Sequence, residues 1–186
     1  VRHQLSLLLV RLPPGLFSQQ ISALAEWAWN LNGRGVRDFA RAWATREGLP
    51  QPETVAEAVE LMDGPGTLLV QSAQNVFGDW ASAVAALKAG QPLPLGGNLL
   101  YAFPQVESFA AHAQCYQQAQ ALAERSGVPA LEVEAAYGRQ LIGVLRALYD
   151  LTAAPTPEAR HEAWNALQAG VDVLDELFAR RTDQRQ

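Results

Sequence analysis

The stretch from Leu131 to Leu151, LEVEAAYGRQLIGVLRALYDL, constrains this chain more than any other. Leu131, Tyr137, Gly138, Leu141, Leu145, Leu148 and Tyr149 recur at spacings of three and four. That spacing lays one apolar stripe along a helix of about 30 Å, at about 1.5 Å per residue. Such a stripe must be covered by neighbours. Val106 to Ser126 and Pro157 to Arg181 repeat the pattern, and the breaks between them hold Gly127, Pro129, Pro155 and Pro157. Residues 106–181 are therefore expected to form an antiparallel three-helix bundle.

Upstream, residues 1–90 read as a run of shorter elements. Gln4 to Leu12 (QLSLLLVRL) suits a short strand stopped by Pro13, Pro14 and Gly15. A lone strand needs a partner, and none follows nearby, which favours docking onto another domain. Ser18 to Asn30 reads as a helix capped by Ser18, with Ile21, Leu24, Ala25, Ala28 and Trp29 on one face. After the turn NLNGRG, Val36 to Glu47 returns to helical spacing through Phe39, Ala40 and Trp43, and Gly48 ends it. Pro52 opens the next helix, whose inward residues are Val55, Val59 and Met62, and Gly64 with Pro65 is expected to stop it. Thr67 to Phe77 is ambiguous. Asp79 can cap a helix through Lys88, with Trp80, Val84 and Leu87 inward and Gly90 at its end.

Gln91 to Gln105, QPLPLGGNLLYAFPQ, holds three prolines and two adjacent glycines and reads as a linker between the two halves, within what is still one continuous domain. Leu99, Leu100, Tyr101 and Phe103 make it too apolar for open solvent, so it should lie across a core surface or a partner, and packing is preferred to ligand binding. The fold class is all-α: short N-terminal helices, then the bundle, with one possible short N-terminal strand.

Apolar residues at 49% and charged residues at 18% suit a folded globular chain long enough to need no disulfide or metal. Fourteen basic against nineteen acidic residues give a net charge of −5, and no basic cluster beyond Arg180 and Arg181 could track a phosphate backbone. Nucleic acid is excluded as an expected partner. No apolar run approaches the roughly 20 residues of a membrane span, so the chain reads as soluble. The single cysteine, Cys115, cannot form an internal disulfide and reads as a helix packing position among Ala111, Ala113 and Ala119. A start on Val1 without a signal peptide suggests a part of something longer.

His3, His112 and His161 have no metal-ligand spacing with one another or with Cys115, and HExxH, CxxC, Walker A, GxSxG and GxGxxG are all absent. No metal, cofactor or catalytic residue is assigned. Glu132, Glu134, Glu158 and Glu162 fall in helix first turns or on solvated faces, and no carboxylate pair must converge as acid and base would. Gly138, Gly143 and Gly170 interrupt helices at about 1 kcal/mol each relative to alanine. Close approach of two helix backbones accounts for them more simply than room for a ligand does. Of the five tryptophans, Trp43, Trp80 and Trp164 fall on apolar faces and read as core, whereas Trp27 and Trp29, two apart on a helix, cannot face the same way. That pair is the one aromatic signal for stacking on a sugar ring.

LFSQQISALAEWAWN, Leu16 to Asn30, resembles the segment at the end of the catalytic barrel in beta-hexosaminidases and related glycoside hydrolases, where a final helix carries a run like ALAE followed by tryptophan. GRGVRDFARAWATREGL, Gly33 to Leu49, is similar to the helical continuation after such barrels, and the long final helices are similar in style to C-terminal regions of these enzymes. The resemblance implies a non-catalytic helical C-terminal region beside an upstream barrel, since a barrel alone needs about 250 residues. It makes carbohydrate a candidate ligand, with Trp29 and Asn30 as candidate substrate-binding residues, and carries over no catalytic carboxylate; Glu26 reads as a helix surface group. The alternative is an independent helical interaction module that binds another protein through Leu99 to Phe103. A small helical enzyme is a third class, disfavoured by the missing motifs.

Overall fold

In this computed structural model the described residues are Glu26 and 33–183. They form six helices: α1 Val36–Arg46, α2 Pro52–Gly78, α3 Trp80–Ala89, α4 Glu107–Ser126, α5 Pro129–Ala153 and α6 Pro157–Asp183. Among the described residues there is no strand, only an isolated bridge between Leu95 and Leu100, so the fold is all-α. The expected strand at Gln4 to Leu12 and helix at Ser18 to Asn30 lie outside the described residues, Glu26 excepted.

The residues fall into two compact units. The first draws its described residues from Val1–Gly64, Tyr116–Ala136 and Leu177–Gln186, and the second comprises Pro65–Cys115 and Tyr137–Glu176.

In the first unit, Phe39, Trp43 and Ala44 of α1 meet Val55 and Ala58 of α2, Leu122 and Ala123 of α4, and Val128 and Leu131 at the start of α5. Leu49, Val59, Leu61 and Met62 pack around them half-buried. Gly48 turns the chain out of α1 at φ +67°, a conformation that a Cβ would resist. Gln51 then adopts φ 50° and donates its side-chain Nε2 to the Arg125 carbonyl at 2.7 Å. That carbonyl is in the last turn of α4, where the helix itself supplies no partner. The α4–α5 connection is equally tight: buried Ser126 donates to the Ala123 carbonyl at 2.7 Å, accepts from Val128 N at 3.3 Å, and Gly127 takes φ +67°. Outside this core run exposed pairs such as Arg41 with Asp38 and Glu53, each worth little in water.

The expected stop at Gly64 and Pro65 does not occur, because α2 continues through both to Gly78. A proline ring disfavours helical geometry in the residue before it partly through that residue's Cβ. Gly64 has no Cβ, so that part of the clash is reduced, and what remains is one lost hydrogen bond and the ring's crowding of the carbonyl one turn back. Thr67 to Phe77 is thereby helical as well.

The second unit carries the segment from Gln91 to Gln105 on its helices. Leu93, Leu99, Leu100, Ala102 and Phe103 are buried, with Leu100 and Phe103 wholly so, and within residues 99–103 only Tyr101 turns to solvent. The segment folds on itself, since Gly96 N donates to both the Leu100 and Phe103 carbonyls and Gly96 takes φ +68°. It packs as its composition demands. Ahead of it in the chain, α3 is capped by Asp79, whose carboxylate accepts from Ser82 N, and closed by Gly90 at φ 62°. Along α5, Leu141, Leu145 and Leu148 are buried as the stripe requires. The second and third bundle helices run antiparallel: Thr156 caps α6 through Ala159 N, and Gly170 of α6 lies against Val144 of α5.

Candidate functional site

The most elaborate side-chain cluster in the second unit forms where the 91–105 segment meets α4 and α5. Phe103 stacks on Phe109 with centroids 4.0 Å apart and planes at 10°, and its ring also meets His112 at 5.4 Å and 45°. Phe109 in turn contacts Tyr149 of α5 at 6.0 Å. Arg146 lies 5.5 Å from the Phe109 centroid, close enough for a cation–π contact, while its Nε donates to both Asp150 oxygens at 2.9 and 2.8 Å. Helical spacing explains the grouping: Phe109 and His112 are three apart on α4, and Arg146, Tyr149 and Asp150 share adjoining positions on α5.

Three hydrogen bonds tie the segment down. Leu93 N donates to Thr152 Oγ1 at 3.1 Å, Ala102 N donates to buried Ser72 Oγ at 2.8 Å, and Asn75 Nδ2 donates to the Asn98 carbonyl. Sequence reading missed Ser72, Thr152 and His112 in these roles. The signal for Thr152 was a lone hydroxyl on the inward face at the end of an apolar helix; for Ser72 no such signal exists in an ambiguous stretch.

This cluster holds no nucleophile and base in contact. His112 Nδ1 is inaccessible to solvent and has no hydrogen-bond partner, and burial pushes its imidazole below the ordinary histidine value. Cys115 is half-buried on the same helix. His161 is exposed, and among the described residues no group of three or more His, Cys, Asp or Glu could hold a metal ion. No helix is long and apolar enough to cross a membrane among those residues.

Trp27, Trp29 and Asn30 lie outside the described residues, so the structure places neither candidate sugar-binding group. Glu26 is held by Arg34 through Nη2 at 3.0 Å, and that hydrogen bond lowers its carboxyl pKa. Among the other tryptophans only Trp43 is core; Trp80 and Trp164 are about half exposed, at 51% and 45%, against expectation. On α3 it is the small Ala83 that is buried, and α6 buries Leu167 and Leu174 instead of the larger indole. An apolar period identifies a candidate face, but the neighbours decide how far round the helix coverage extends. The loop Leu99 to Phe103 is likewise no open docking strip, since its leucines and phenylalanine are spent on the core. Exposed large apolar residues of the second unit are Trp80, Tyr101, Trp164, Val171 and Val173, and of these Trp164 and Val171 lie two turns apart on one face of α6.

No family model, curated protein or solved structure matches this chain. The class that stands is that of an all-α helical protein with antiparallel long helices.

Proposed function

We propose that this chain acts by contact and not by catalysis, as a helical C-terminal region that packs beside the catalytic barrel of a carbohydrate-active enzyme. The observation that carries the non-catalytic part is the use of its polar side chains. Buried hydroxyls Ser72, Ser126 and Thr152 hold backbone groups, and the described ion pairs lie on exposed or half-exposed surface. Trp164 and Val171, left exposed on α6, are the apolar groups suited to such packing. The carbohydrate link rests on the resemblance carried by Leu16 to Leu49 alone.

The reading frame upstream of Val1 tests this directly. A barrel encoded there, expressed separately, should bind this chain in a calorimetric titration, and Trp164→Ser with Val171→Ser should weaken binding at least about tenfold, or about 1.4 kcal/mol. An upstream frame without a barrel would remove the carbohydrate reading. The second reading, an independent protein-interaction module, would then use the α6 face, because Leu99, Leu100 and Phe103 are buried.

A further inference from the structure

We propose that His112 makes the seating of the Leu93–Phe103 segment sensitive to pH: the segment stays closed on α4 and α5 while the imidazole is neutral and loosens when it gains a proton. The inference stands on where the ring sits. Phe103, wholly buried, is the anchor at one end of the segment, and its ring is shared between Phe109 and His112. His112 Nδ1 is shut off from solvent and has no partner. A neutral imidazole meets this by carrying its proton on Nε2, which leaves only a bare lone pair at Nδ1. An imidazolium has an N–H on both nitrogens, so protonation would leave a charged donor buried without an acceptor, a costlier state than an unmet neutral group.

The nearby charged groups are engaged with one another and offer that cation no free counter-charge. The 91–105 segment contains no charged residue, and its one titratable group, Tyr101, faces solvent. From α5 come Tyr149, Arg146 and Asp150, and both Asp150 oxygens already accept from Arg146. On α4 itself the groups one turn on are Cys115 and Tyr116. Desolvation accordingly lowers the His112 pKa. The unfolded chain then binds this proton more readily than the folded one, so stability rises with pH across the interval between the two pKa values. The contribution is complete above the unfolded value of about 6.5 and is lost as pH falls through it toward the lower folded value. Loosening of Phe103 would strain first the neighbouring bond from Ala102 N to Ser72, and it would bring Leu99, Leu100 and Phe103 toward water.

The test is made on the full chain in two measurements. An NMR titration of the His112 ring should give a pKa below about 6.5. Amide exchange at Leu100, Ala102 and Phe103, corrected for intrinsic rates, should report opening several-fold more frequent at a pH about one unit below 6.5 than about one unit above. In H112Q, which keeps a polar side chain without a titration, that difference should vanish. Should H112Q fail to fold by circular dichroism, the wild-type titration and exchange decide alone. A His112 pKa at or above the ordinary value, exchange independent of pH, or the same pH dependence in a folded H112Q would each overturn the proposal.

Discussion

Leu93 and Thr152, 59 residues apart, are joined by one buried hydrogen bond from the Leu93 amide to the Thr152 hydroxyl at 3.1 Å. The same hydroxyl donates to the Tyr149 carbonyl at 2.8 Å, so a single oxygen satisfies a loop amide and a helix carbonyl together. Thr152 itself is 2% exposed. Thr152→Val keeps the shape and removes both bonds, stranding the Leu93 N–H in the interior. It should destabilise the protein by about 1–3 kcal/mol, whereas Thr152→Ser should cost less. Denaturant midpoints for the two variants check this; equal and negligible shifts would mean that water reaches the Leu93 amide.

Leu145 is 2% exposed in the middle of α5. Leu145→Ala should cost about 2–5 kcal/mol, the range for a buried leucine that leaves a cavity behind. A loss within about 0.5 kcal/mol would place the stripe at the surface.

The helical glycines separate into two kinds. A Cβ at Gly143 would meet nothing within 4 Å, so close backbone approach is not its reason for being glycine, contrary to expectation. A Cβ at Gly170 would lie 3.1 Å from Val144 Cγ2 and 3.4 Å from Gln140 Nε2, whose amide donates to the Gly170 carbonyl at 3.0 Å. Gly143→Ala should therefore raise stability by up to about 1 kcal/mol through helix propensity. Gly170→Ala should gain less or lose, because the branched Val144 has little freedom to yield. Thermal melts of the two single variants give the comparison, and an equal gain at both sites would contradict it.

How much of this was legible in the sequence follows from which interactions are local. Caps and turns depend on a few neighbouring residues, so Asp79, Gly48, Gly90 and Gly127 marked helix ends correctly. The α5 stripe and the apolar 91–105 segment were legible too, because burying so much apolar surface leaves few alternatives. Pro65 misled because its usual effect depends on the residue before it, and here that residue is Gly64. Trp80 and Trp164 misled for another reason: their periodicity was right, but whether a helix face is covered depends on elements distant in sequence. The polar anchors Ser72 and Thr152 are long-range for the same reason. The candidate sugar-binding residues Trp29 and Asn30 remain a sequence expectation, outside the described residues.

The central claim, contact without catalysis, is tested most directly by incubating the purified chain with aryl glycosides covering several sugars. Hydrolysis of a glycosidic bond by the usual route needs two carboxyl groups flanking it, about 5 to 10 Å apart. The account predicts no release of the aryl leaving group above the buffer blank for any sugar. Turnover that survives purification and disappears when one carboxylate of this chain is replaced would contradict it.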